Sequence, residues 1–178
     1  MRRIILIICI TCVYQFACAQ ENDTVTFNSN VIGIKTGFIY NRGYSYYLNP
    51  YYLRRFKYIS VKSGLFYGSD IWEGSNNYHL GVNVGCQMLF FRKSKLVQPY
   101  SEISLLFIGT NAQSTDNSIW NWGGGFLLGN GIQFKIERFV VGGGVDFGII
   151  AYYSAKDEID QALVYWIIPT LHFSYSFK

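Results

Sequence analysis

Short charged turns and longer polar segments alternate strictly along this chain, and that alternation constrains the fold more than any other feature. The tight segments are Arg54-Arg55-Phe56-Lys57, Arg92-Lys93-Ser94-Lys95 and Lys135-Ile136-Glu137-Arg138. The polar, mostly longer ones run over 41–45, 69–77, 109–118 and 154–161. Between them lie segments over 31–40, 46–53, 58–68, 78–91, 96–108, 119–134, 139–153 and 162–177. A tilted membrane strand needs about 9–11 residues, and these segments are long enough. Three turns at one end and four loops at the other predict an all-β chain, folded as an eight-stranded antiparallel up-and-down transmembrane β-barrel. Both termini then share the short-turn, periplasmic side.

A strand places successive side chains on opposite faces, so a barrel wall should read with a period of two. In the fourth segment Tyr78, Leu80, Val82, Val84, Cys86, Met88 and Phe90 oppose His79, Gly81, Asn83, Gly85 and Gln87. In the seventh, Val141, Val145, Phe147 and Ile149 oppose Gly142, Gly144, Asp146 and Gly148. The last sets Ile167, Pro169, Leu171, Phe173, Tyr175 and Phe177 against Thr170, His172, Ser174 and Ser176.

Three places break the pattern. Asn130 falls on the apolar face, which suggests a bulge near 129–131. Pro99 and Pro169 each remove a ladder donor. The second segment is too aromatic for a face to be assigned.

Aromatic residues gather near both ends. Phe56, Tyr58, Phe90, Phe91, Phe134, Phe139 and Phe177 lie toward the short turns. Tyr67, Trp72, Tyr78, Trp120, Trp122, Tyr152, Tyr153, Tyr165 and Trp166 lie toward the loops. Two such girdles are expected where amphipathic rings meet lipid headgroups.

Composition decides between lipid and water outside. Only 15% of residues are charged, against 50% hydrophobic, whereas a soluble surface carries about 25–35% charged residues. A lipocalin-like soluble barrel would put the face opposite the apolar one in water. Within the strands that face holds few charges, chiefly Lys35, Lys62, Glu102 and Asp146, among many glycines. It makes a poor aqueous exterior and a workable narrow lumen.

The first residues read as an export signal over 1–19. Arg2 and Arg3 precede an apolar stretch over 4–10, and Ala17-Cys18-Ala19 has the form of a signal-peptidase site. A periplasmic segment over 20–30 and the barrel over 31–178 follow. Three of the four cysteines leave with the signal, so Cys86 is alone and no internal disulfide can form. The remaining Lys and Arg form no stripe, which argues against nucleic acid.

The lumen set carries the most chemistry. Lys35 and Lys62 face Glu102 and Asp146 in charge, and all four fall near mid-height. His79, Asn83, Gln87 and His172, with Gln98, Ser104 and Asn121, should surround them. Unpaired charge in a poorly hydrated lumen costs several kcal/mol, so pairing is expected. The outcome is either a polar plug or a gated, narrow ion path. Gly123–Gly125 and Gly142–Gly144 match neither a dinucleotide fingerprint nor a phosphate loop. No metal or cofactor site is expected.

These residues resemble the small outer-membrane β-barrel domain family of Gram-negative bacteria, of the OmpX/OmpA type. Gly33-Ile34-Lys35-Thr36-Gly37-Phe38 is similar to the family's opening strand. The close, 171–177, resembles the C-terminal insertion signal, with Phe173, Tyr175 and Phe177 alternating to a final aromatic; Lys178 follows it. The resemblance implies an outer-membrane location among lipids and lipopolysaccharide, and assembly by the barrel-insertion machinery. It implies no single activity. Three functions stay open: a non-enzymatic structural or surface-interaction barrel, a narrow porin-like channel, and a lipid A-modifying enzyme. For the last, His172-Phe173-Ser174 has the spacing of a base and a nucleophile on one strand face, but the pair points by parity to the lumen. The outer loops, 70–74 and 155–160 among them, could bind a surface ligand.

Overall fold

The computed structural model describes residues 29–40, 44–56, 59–70, 77–90, 96–114, 117–153 and 162–177. Eight strands account for nearly all of them: β1 (Ser29–Tyr40), β2 (Tyr44–Arg55), β3 (Ser60–Asp70), β4 (Tyr78–Leu89), β5 (Val97–Ser114), β6 (Asn117–Ile136), β7 (Phe139–Tyr153) and β8 (Ala162–Phe177). Each strand pairs with its sequence neighbours, and β1 closes on β8 to form a barrel. Every pairing is antiparallel, so the β2–β3, β4–β5 and β6–β7 connections fall at one end (the turn end) and the four others at the opposite end (the loop end).

The walls are the expected alternation with the apolar side outward. Ile32, Ile34, Leu65, Val82, Val84, Ile103, Phe107, Phe126, Phe147, Leu171 and Phe173 are all exposed, while Lys35, Lys62, Asn83, Glu102, Asp146 and His172 are buried inside. This inverts the pattern of a soluble barrel. An exterior of aliphatic and aromatic side chains matches hydrocarbon, where every backbone amide must find its partner in a closed ladder.

Several details differ from the sequence reading. β1 opens at Ser29, inside the segment assigned to the stretch before the barrel. The span 109–118 is largely strand. β5 and β6 pair without interruption from Val97↔Phe134 to Ser114↔Asn117. β4 reaches β5 only as far as Asn111, and β7 reaches β6 only from Trp122. The tip of the β5–β6 hairpin therefore rises above its neighbours as a two-stranded ribbon. Asn, Gln, Ser and Thr read as loop residues by composition, yet an adjacent hairpin partner satisfies their backbone as well as that of any apolar residue.

No bulge accommodates Asn130. The register stays constant through Ser101↔Asn130 and Asn130↔Val145. Asn130 is exposed on the outer wall, and the Ser101 hydroxyl donates to its Oδ1 at 2.5 Å. Partnership on the same face removes the need for a bulge.

The aromatic belts are thinner than the sequence suggested. Phe56, Phe134 and Phe139 at the turn end, and Tyr78, Trp120, Trp122 and Tyr165 at the loop end, are exposed. Trp166 and Phe90 are buried instead, and Tyr152 packs against the inner core. Trp166 and Tyr152 occupy even positions of β8 and β7, which place them on the inner face. Trp72, Tyr58, Phe91, the side chain of Tyr153 and the proposed signal segment lie outside what is described. The last turn is made by Glu137 and Arg138, with Glu137 at φ 54°.

Candidate functional site

Among the described residues, charged side chains converge in the interior, which is layered along the axis. At mid-height four strands bring four charges together. Lys35 on β1 donates to Asp146 on β7, with Nζ 2.9 Å from Oδ1 and 2.6 Å from Oδ2. Its Nζ also lies 3.7 Å from Oε2 of Glu102 on β5. Lys62 on β3 reaches Oε1 of Glu102 at 2.8 Å. The Ser104 hydroxyl donates to the same Oε1 at 3.1 Å. The result is a continuous chain Asp146–Lys35–Glu102–Lys62, and all four side chains are nearly inaccessible. Lys62 also sits over the Tyr51 ring, with Nζ 4.5 Å from its centroid. Removing ions from water is costly unless each is met by partners of good geometry, and here every charge has one.

Above this layer, toward the loops, lies an apolar cluster. Ile39, Tyr47, Phe66, Leu106, Ile108, Leu127, Ile150, Trp166 and Ile168 form one cluster of buried side chains. Three of its rings bridge the barrel. Tyr47 on β2 stacks on Phe66 of β3 with centroids 5.3 Å apart, and Phe66 stacks on Trp166 of β8 at 5.9 Å. The sequence reading missed this layer because no strand contributes more than two such residues to it.

The remaining polar residues are spread along the axis: Gln87 and His172 flank the charges, and the others lie toward the two ends. His79 lies near the loop end, with Nδ1 2.9 Å from the Thr110 hydroxyl and its ring edge against Trp166. Asn83 accepts from Asn49 Nδ2 at 3.0 Å. Asn121 pairs with Thr110 in register, also near the loops. Gln87 is buried beside Glu102, its register partner. Gln98 accepts from Gln133 Nε2 at 3.1 Å on the turn side. His172 stands opposite Lys35 in register, its ring edge-on to Tyr100 at 5.2 Å, and its Nε2 has no protein partner.

Ser174 is buried with His172, so the pair that could suggest a hydrolase faces inward, away from lipid. Phe173 is exposed on the opposite face of β8, with Tyr175 and Phe177 half-buried below it.

Asn49, Arg55, Ser60, Gln133 and Thr170 also line the interior and were not singled out from sequence. The face of β2 was recoverable. Its tight turn into β3 sets Arg55 opposite Ser60 and Leu53 opposite Lys62, so the lumen assignment of Lys62 carries over to Leu53, Tyr51, Asn49 and Tyr47.

Three inner glycines lie against aromatic rings. A Cβ on Gly33 would lie 2.6 Å from the Tyr51 ring, and one on Gly144 would lie 2.8 Å from the Tyr100 hydroxyl. A Cβ on Gly142 would collide with the His172 imidazole. Each of these glycines is a socket for a ring from another strand, and the rings occupy the space that glycine leaves.

No family model and no curated protein sequence matches the chain. Solved structures do. Neisserial surface protein A superposes with a TM-score of 0.63 over 86% of this chain and all of that one, at 10% identity. The N-terminal β-barrel domain of Pseudomonas aeruginosa OprF gives 0.56 at 12% identity, again over 86% of this chain and all of the other. This chain has the fold of the small outer-membrane barrels. Ail of Yersinia pestis, crystallised with the heparin analogue sucrose octasulfate, matches with a TM-score of 0.50 at 17% identity, covering 84% of this chain and 97% of its own. Identities this low carry the fold and no activity.

Proposed function

We propose that this protein is a non-conducting, non-enzymatic barrel of the outer membrane, with a structural or surface-interaction role and its turn end in the periplasm. The observation that carries this reading is the ring stack Tyr47–Phe66–Trp166, set in aliphatic side chains above the ion chain. An eight-stranded barrel is only about wide enough for its own side chains. A stacked apolar layer across such a lumen leaves ions no hydrated route. The buried, inward His172 and Ser174 offer no access to a lipid substrate from the membrane, which favours a non-enzyme. The loop segments over 41–45, 69–77, 109–118 and 154–161 hold six Asp or Glu against Arg42 and Lys156. Any surface ligand there is expected to be neutral or cationic, unlike the polyanionic sugar analogue bound to Ail.

The test is reconstitution into planar bilayers. The parent should show no discrete conductance, and Phe66→Ala/Trp166→Ala should open a small one by removing two of the three bridging rings. Discrete openings in the parent, reduced in Lys35→Ala/Lys62→Ala, would replace this reading with the narrow channel. Acyl loss from lipid A by mass spectrometry, abolished in Ser174→Ala, would replace it with the enzyme.

A further inference from the structure

The outer wall carries a strip at the turn end that the barrel itself does not need. Across β7, β8, β1 and β2, it runs Arg138, Tyr175, Asn30, Tyr52, Arg54. The ladder makes these neighbours: Phe177 pairs with Asn30, and Asn30 with Arg54. Tyr175 pairs with Ile32, and Ile32 with Tyr52. Parity turns Tyr175, Asn30, Tyr52 and Arg54 outward, and Arg138 sits exposed in the adjoining turn.

The internal hydrogen bonds of the strip consume acceptors and leave donors. Tyr52 donates to Asn30 Oδ1 at 2.6 Å, and Arg138 Nη1 donates to the Tyr175 hydroxyl at 3.2 Å. Facing outward are the Tyr175 O–H, the Asn30 amide N–H groups and the remaining N–H groups of two guanidiniums. Arg54 is braced over the Phe56 ring, with Cζ 5.5 Å from its centroid, and Tyr175 packs against Phe139 at 5.3 Å. Glu137, next to Arg138, is the one acid in the three tight turns, against eight Lys or Arg. Directly above the strip, Ile32, Ile34, Leu171 and Phe173 expose an apolar seam.

We infer that this strip binds the phosphate headgroup of an anionic glycerophospholipid in the leaflet at the turn end, with its acyl chains along the β8–β1 seam. The inference rests on the exterior being lipid-facing. Two guanidiniums with a flanking hydroxyl and amide, all donors, match the acceptor oxygens of a phosphodiester. The aliphatic seam continues toward mid-membrane, as acyl chains would. A soluble anion would have no use for that seam, so a lipid is the fitting occupant.

The experiment uses the full mature barrel in phosphatidylcholine nanodiscs containing either spin-labelled phosphatidylglycerol or spin-labelled phosphatidylcholine. At low salt the parent should prefer the anionic probe by about fivefold per engaged guanidinium. R54A/R138A should bring the ratio close to one, while R42A/K156A at the loop end should leave it unchanged. The parent preference should fall as chloride is added. A ratio near one in a barrel that keeps its heat-sensitive gel migration overturns the strip. Loss of that migration in the parent overturns the membrane-barrel reading instead. A preference unaffected by salt, or one shared by R54A/R138A, overturns the assignment to these arginines. Displacement by inorganic phosphate beyond that by chloride at equal ionic strength would reassign the strip to free phosphate.

Discussion

At the scale of single residues, the ion chain is the part of the interior most sensitive to change. Glu102 bridges two lysines, and Lys62 has no other carboxylate in reach among the described ion pairs. Glu102→Gln keeps the shape and leaves Lys62 buried without its counter-charge. That change should destabilise the barrel by about 3–5 kcal/mol. Urea unfolding in vesicles, followed by tryptophan fluorescence, reads the shift directly. Pairing it with Lys62→Met should restore most of the loss, because the orphaned charge then goes too. A double variant as unstable as the single one would mean that the unpaired Lys62 charge does not set the cost.

The identity of these charges was legible in the sequence because Lys35, Lys62, Glu102 and Asp146 interrupt inner faces that are otherwise mostly uncharged, although the inward Arg55 was missed. Their linkage was not. Which lysine meets which carboxylate depends on the barrel's closure, which pairs β1 with β8 and so sets it two strands from β7 and across the lumen from β5.

The strands show which sequence signals survive folding and which do not. Period-two alternation placed β4, β7 and β8 correctly, because one face of each is strongly apolar. β2 gave no such contrast, since Tyr appears on both of its faces: Tyr47 is buried and Tyr46 and Tyr52 are exposed. The same cause hid the inner apolar layer, in which Trp166 and Phe66 look like any girdle aromatic when read one strand at a time.

Asn130 was placed on the correct face for a reason the sequence did not reveal, its bond to Ser101 on β5. A lipid-facing amide is still partly unsatisfied, so Asn130→Leu should stabilise the barrel by about 1 kcal/mol in the same urea assay. Destabilisation would show that the Ser101 bond outweighs the desolvation of the amide.

The last turn offers a second gain. Glu137 sits at φ 54°, a conformation that costs an L-residue with a Cβ about 1–2 kcal/mol. Glu137→Gly should raise the urea midpoint by a corresponding amount, less the entropy glycine adds to the unfolded chain.

As a whole, the molecule is a closed ladder with side chains packed inside and an apolar coat. Such a barrel has no edge strand from which SDS can begin to unzip it. The mature protein, extracted from outer-membrane fractions, should migrate faster on a gel without boiling than after it. Identical migration, together with recovery from the soluble periplasmic fraction, would contradict the membrane-barrel reading. Strand number and topology were readable from the spacing of turns and loops. The mode of filling was not, since it comes from side chains that are far apart in sequence and meet only once the sheet has closed.

The glycine sockets have a consequence for how the barrel is assembled. Tyr51 fits against Gly33, Tyr100 against Gly144 and His172 against Gly142, each in one alignment of strands that are not all neighbours. Shifting a strand by two residues would keep its apolar face outward and its ladder intact, so neither lipid nor hydrogen bonding would reject the error. Between β1 and β2 it would, however, drive the Tyr51 ring against Val31 or Lys35, which carry side chains. The glycines thus work with the ion chain as a proofreading device, rejecting misaligned walls that lipid and the backbone ladder would accept.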